Sequence, residues 1–216
     1  MKQFSVYLDD LHAIYLLDPK IKFNFDFFKT KPKEIYIHHT GNTPHDLEEV
    51  YSIGVTKFNQ PSYHFIIDKK GAIYQTLPIN VIGAHIKRHN DNSFGIALLD
   101  LISPSSPTEA MKYSLDSLIN HLKYNYPIEK VSTHFEASIS DVNEIITQIG
   151  IEKEIPLLNR QEVGDLTVDN VENYKKKIKE EIKDTDIDKL IKDILNQRVD
   201  YVKNCPGPYF HTLLNL

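Results

Sequence analysis

Two adjacent histidines, His38 and His39, end the apolar run Ile35-Tyr36-Ile37. Another histidine, His134, follows Lys130-Val131-Ser132-Thr133, and the only cysteine, Cys205, lies in Lys203-Asn204-Cys205-Pro206-Gly207. Two imidazoles and one thiolate form a borderline-soft ligand set that suits zinc and leaves a fourth position for water, the feature that separates hydrolytic zinc sites from closed structural ones. The chemistry this set points to is metal-dependent hydrolysis. Successive side chains on a strand face opposite ways, so only one of His38 and His39 can aim at a shared ion, and spacing does not choose between them. A lone cysteine forms no internal disulfide. Cys205 is a ligand, a buried inert thiol, or a nucleophile with His134 as its base, and the last option leaves His38 without a task.

The elements that must position these residues read as an α/β fold. Ile21, Phe23, Phe25 and Phe27 alternate with polar residues, as in a half-buried strand, and Ile35 to His39 reads as a buried one. Thr43-Pro44-His45-Asp46 offers an N-cap, a proline at the first helical position and an acid three residues on, which predicts a helix from about Pro44 to Asn59. Tyr63 to Asp68, the turn Lys69-Lys70-Gly71 and Ala72 to Thr76 make a β-hairpin, and a further strand runs from Phe94 to Leu99. Ser106-Pro107-Thr108-Glu109 repeats the capping pattern before a helix reaching about Tyr124. Lys130 to Thr133 then delivers His134 to a strand end or the loop just beyond, so the candidate ligands sit where elements terminate.

Residues 138–198 read as a charged helical insertion before Cys205. Lys175 to Lys183 mixes lysines with two glutamates, the pattern of a solvated helix face, and Ile187, Leu190, Ile191, Ile194 and Leu195 form an amphipathic stripe. Asp141, beside Ser140, reads as a first-turn helix acid.

Length and charge set the outer limits. A chain of 216 residues is most economically one domain with its own core. A net charge of −5 with dispersed lysines argues against a nucleic-acid surface. The N-terminus meets Asp9 and Asp10 before a signal-peptide core can form, and no later apolar run approaches a membrane span, so synthesis in the cytoplasm without membrane insertion is expected. The sequence leaves the oligomeric state open.

Six segments, in order, resemble the zinc-dependent N-acetylmuramoyl-L-alanine amidases, which share a fold with phage lysozyme-type amidases and peptidoglycan recognition proteins. They are Ile37-His38-His39-Thr40, Tyr63-His64-Phe65-Ile66-Ile67 with Gly71, Gly83-Ala84-His85, Asn92-Ser93-Phe94-Gly95-Ile96, Thr133-His134-Phe135-Glu136 and Lys203-Asn204-Cys205-Pro206-Gly207. The resemblance covers roughly residues 33–136 and 199–210. It implies a mixed central β-sheet flanked by helices, with Zn2+ held by His38, His134 and Cys205. It further implies Tyr63 and Lys203 as the catalytic pair, and His85 and Asn92 along the substrate groove. His39 is then left to pack behind the strand, and His64, His89 and Glu136 take structural, surface or local hydrogen-bonding roles. His12, His45, His121 and His211 are structural or exposed.

On this resemblance residues 1–216 form one amidase-like domain, with residues 1–30 an extension packed on the core and residues 138–198 an insertion with no counterpart in compact members. The implied reaction is hydrolysis of the amide between N-acetylmuramic acid and the L-alanine of the stem peptide. Peptidoglycan or muropeptides would be the partner, met by an endolysin released to the wall, a delivered effector or a cytosolic recycling enzyme. A non-catalytic peptidoglycan-binding module is the alternative. An interaction protein with a merely structural zinc is the reading from a different class.

Overall fold

The computed structural model describes residues 2–8, 11–17, 25–40, 46–99, 107–164 and 166–205, the first two segments as backbone. The chain divides into two compact units, Met1–Ser132 with His211–Leu216, and Thr133–Phe210.

The first unit is built on a mixed sheet in the order β1-β2-β5-β4-β6-β3-β7. The strands are β1 (Lys2–Leu8), β2 (Leu11–Leu17), β3 (Glu34–His39), β4 (Phe65–Ile67), β5 (Ile73–Gln75), β6 (Ser93–Leu98) and β7 (Lys130–Thr133). β3 and β4 each run parallel to β6, while β4 and β5 form the expected hairpin. Its turn places Gly71 at φ +82°, the left-handed region that a Cβ disfavours. The first two strands are an antiparallel hairpin that joins the sheet through β5, so the N-terminal segment extends the sheet. In the alternating run Ile21 to Phe27, the described residues show only an isolated bridge from Phe27 to Val81, and residues 21–24 lie outside the described set.

The period of two along these strands sorts the side chains. Ile35 and Ile37 of β3, Phe65 and Ile67 of β4, and Phe94, Ile96 and Leu98 of β6 pack on Met111, Leu115, Leu118, Ile119 and Leu122 of α2 (Glu109–Asn125). Each such fully buried side chain contributes roughly 1.5–3 kcal/mol of transfer free energy. Ile66 and Ala97 face the other way, towards Val50 of α1 (Leu47–Phe58). One helix therefore lies on each face of the sheet, and β3 presents Tyr36 and His38 on the face opposite α2.

Both predicted caps move inward. Asp46, expected inside the first helix, is its N-cap, its carboxylate accepting from the Glu49 N–H at 2.8 Å; residues 41–45 lie outside the described set. Thr108, not Ser106, caps α2 by accepting from the Met111 N–H at 3.1 Å. A cap needs a side-chain oxygen two or three residues before a free N–H, and in each motif the later oxygen meets that condition.

The second unit is helical: α3 (His134–Ile149), α4 (Val168–Asp184) and α5 (Lys189–Asp200). Phe135, Ile139, Val142 and Ile146 of α3, Val171, Tyr174, Ile178 and Ile182 of α4, and Leu195 and Val199 of α5 form its core. The segment between α3 and α4 is pinned by Asn143, whose side chain donates to the Leu158 carbonyl at 2.8 Å and accepts from the Leu158 N–H at 2.6 Å. The lysine-rich face of α4 is laced with acids, Lys175 to Glu172 at 2.8 Å and Lys177 to Glu162 at 3.3 Å. The expected α5 stripe is only half right. Leu195 is buried, but Leu190 and Ile194 are exposed because the inward row continues to Val199. Asp141 lies in the middle of α3, not in a first turn, since the helix starts at His134. Among the described residues no helix is long and apolar enough to cross a membrane.

Candidate functional site

His134 stands at a helix start where a strand end or loop was expected. Thr133 closes β7 and caps α3, its hydroxyl accepting from the Glu136 N–H at 3.2 Å, so the chain turns from strand to helix with no residue between. The His134 carbonyl accepts from the Ser138 hydroxyl at 2.7 Å. Cys205 returns to this helix start: the Phe135 N–H donates to the Cys205 carbonyl at 3.0 Å, which satisfies one of the first-turn donors the helix leaves open. A ring nitrogen of His134 and the Cys205 sulfur lie within 4.8 Å of each other. Two ligands of one tetrahedral zinc stand about 3.5 Å apart at ordinary Zn–N and Zn–S lengths, so the pair fits such an ion. Cys205 is 7% exposed. Pro206 and Gly207 lie outside the described residues. Lys203 is exposed.

In the first unit His38 is 1% exposed on the face of β3 away from α2. Its ring is 5.2 Å from that of Tyr63 and 5.1 Å from that of His85. His38 Nε2 lies 3.1 Å from His85 Nδ1, a buried hydrogen bond. β3 is flanked by β7, so the strand that ends at His38 and His39 adjoins the strand that leads into His134. Tyr63, expected as a catalytic group, packs among Val50, Ile66, Ala97 and Leu99.

His85, expected along a groove, is only 7% exposed. Its loop is fixed by Asn90, whose side-chain oxygen accepts from the backbone N–H groups of His85 at 3.0 Å and Ile86 at 2.8 Å. Asn92, the other expected groove residue, ends a short 3-10 turn, Asn90–Asn92, and its carbonyl accepts from the Lys33 N–H at 3.0 Å.

Sequence reasoning missed how His64 and Gly95 support this cluster. His64 is fully buried; its Nε2–H donates to the Val81 carbonyl at 2.8 Å and its Nδ1 accepts from the Gly95 N–H at 3.1 Å. Both ring nitrogens are used in the neutral form, and burial lowers the pKa from 6.5 to about 4. Between those values the unfolded chain takes up a proton at His64 that the folded chain refuses. Stability from this group is therefore full above pH 6.5 and lost as the pH falls towards 4, by about 3 kcal/mol. Denaturant unfolding of His64→Gln should lack that part of the acid slope; matching pH profiles for the two proteins would remove the assignment.

The residues matched by the family described as N-acetylmuramoyl-L-alanine amidase are 28–148, more than half of the chain. The chain belongs to this family. The match takes in His38, Tyr63, His85, Asn92 and His134, and it ends before Lys203 and Cys205. Similar solved structures include the endolysin amidase LysCS from Clostridium intestinale URNW, at 28% identity and a TM-score of 0.46 over 54% of this chain and 81% of that one. The Ph2119 endolysin from the Thermus scotoductus MAT2119 bacteriophage is 23% identical, with a TM-score of 0.44 over 50% of this chain and 75% of that one. The PGRP-Hd of Alvinella pompejana is 20% identical, with a TM-score of 0.45 over 50% and 76%. No curated protein matches the sequence.

Proposed function

We propose that this family member is a zinc-dependent amidase that cleaves the amide between N-acetylmuramic acid and the L-alanine of the stem peptide, with His38, His134 and Cys205 as the zinc ligands. The observation that carries the reading is the donor pair inside the second unit: a ring nitrogen of His134 and the Cys205 sulfur lie within 4.8 Å of each other, a spacing that two ligands of one ion can adopt. Residues 138–198 act in this reading as an insertion into one amidase-like domain, and the enzyme is endolysin-like, reaching the wall after release or delivery.

A bound zinc supplies Lewis-acid polarisation of the amide carbonyl and lowers the pKa of an attacking water towards about 7. The remaining work falls to the chain. Lys203 brings a compact cation to the oxygen that becomes negative as the carbonyl turns tetrahedral, a stabilisation that counts most where water is excluded. Tyr63 positions the attacking water or passes a proton to the leaving amine through its hydroxyl, which at a reference pKa near 10 serves as a hydrogen-bond donor. Two imidazoles and one thiolate leave a zinc site with one net positive charge and an open position, the state a hydrolytic site needs.

Purified full-length protein should carry about one zinc per chain, as a three-ligand site of this type does. It should release lactyl-amide cleavage products from sacculi, and a chelator should stop that release until zinc is restored. Binding of muropeptides without any cleavage, zinc present, would replace the enzyme by a recognition module of the same fold. Unimpeded cleavage by metal-free protein would remove zinc from the reaction.

A further inference from the structure

Tyr63 stands two residues before β4, and the peptide groups on either side of its Cα are both held from other parts of the first unit. On the N-terminal side, the Ser62 carbonyl accepts from the Ala84 N–H at 2.9 Å. On the C-terminal side, the Tyr63 carbonyl accepts from the Thr76 hydroxyl at 2.5 Å. Thr76 is 3% exposed and directly follows β5, and its own N–H donates to the next carbonyl, that of His64, at 2.9 Å. One residue thus holds two consecutive carbonyls. The His64 N–H in turn donates to the Gly95 carbonyl at 2.9 Å, which ties the same stretch to β6.

A peptide group is planar, so φ and ψ alone decide where a Cα–Cβ bond points. Fixing the plane before Tyr63 and the plane after it sets both angles. What remains is rotation of the side chain, and packing on Val50, Ile66, Ala97 and Leu99 limits that, with the ring centroid 5.2 Å from that of His38. The helix on this face closes in as well. A Cβ on Gly54 of α1 would lie 2.8 Å from the Ser62 nitrogen, so glycine is what lets the helix backbone approach.

We propose that Thr76 is a positioning residue for Tyr63: its hydroxyl fixes the peptide that carries the tyrosine, and with it the direction in which the ring leaves the backbone. The inference rests on the catalytic role given to Tyr63 above and deepens it. The hold through Ala84 is made by main chain and survives substitution, whereas the hold through Thr76 belongs to a side chain and can be deleted. Valine would serve a strand end as well as threonine does, so the hydroxyl is the part that bears on the reaction. A displacement of about 1 Å from the reacting geometry can cost about 100-fold in rate.

The test uses the full chain with zinc bound. Thr76→Val should keep the parent's zinc content and KM and lower kcat by about 10- to 100-fold in muropeptide release, and Thr76→Ser should restore most of the loss. In the Tyr63→Phe background, Thr76→Val should leave the residual kcat unchanged, because a residue acting through the tyrosine hydroxyl has nothing further to lose. An unchanged kcat in folded Thr76→Val overturns the proposal, and so does the same fold-loss with Tyr63 already replaced. Where the Val variant fails to fold, Thr76→Ala against Thr76→Ser makes the same comparison, since the two differ only in the hydroxyl: about tenfold faster turnover by Ser is expected, and equal rates overturn it. Tyr63→Phe with the parent's kcat strikes the role given to Tyr63 itself, and this inference with it, so the two failures are told apart.

Discussion

Cys205→Ser should purify without stoichiometric zinc and release no muropeptides from sacculi, while its far-ultraviolet circular dichroism stays that of the parent. The physical reason is the difference between the two chalcogens. Zinc binds the thiolate, which it deprotonates outright, whereas a serine hydroxyl keeps its proton near neutral pH and is a poor ligand for a borderline-soft ion. The fold should tolerate the change: Cys205 contributes its carbonyl to the Phe135 N–H, and that bond does not involve the side chain. Metal analysis then separates the three roles open to a lone cysteine. A ligand loses zinc and activity together, a nucleophile loses activity and keeps zinc, and an inert thiol keeps both. Full zinc occupancy in the serine variant would strike Cys205 from the ligand set.

Lys203→Ala should keep its zinc and its fold and lose about 100-fold or more in kcat, the range seen when one oxyanion donor is removed. Lys203 is exposed in the second unit, so little packing is lost with its side chain. The expected loss falls on kcat because a cation aimed at the developing oxyanion is used in the transition state and hardly at all in the bound substrate. A raised KM with kcat unchanged would make Lys203 a substrate-binding residue, and an unchanged rate would take it out of the mechanism.

Strands β3 to β7 and the first two helices were legible because their signals are local, whereas β1 and β2 were not predicted. Ile35 to His39, the β4–β5 hairpin with Gly71 and the α2 stripe all follow from periodicity and turn chemistry over a few residues. The caps slipped by two or three residues because each motif offers more than one side-chain oxygen, and the helix uses the one that reaches a free N–H. The abrupt turn at Thr133 was not legible. Thr133 serves at once as the last strand residue and the first cap, so a helix begins where a strand end or the loop just beyond was expected. On α5, Leu190 and Leu195 look alike in sequence, and only packing against α3 and α4 shows which is buried.

At the site, the sequence determined which chemistry was available: two histidine contexts, one cysteine and their family resemblance gave the zinc set and the amide bond as expectations. Alternation along β3 also left only one of His38 and His39 able to serve, since neighbouring strand residues face apart. The tertiary structure decided what depends on residues remote in the chain. It returned Cys205 to the start of the helix that begins with His134, and it placed His85 against His38 in a gap kept open by Gly83 and Gly95. Residue identity supplies donors and acceptors, but their direction is fixed only once folding has brought them within reach of one another.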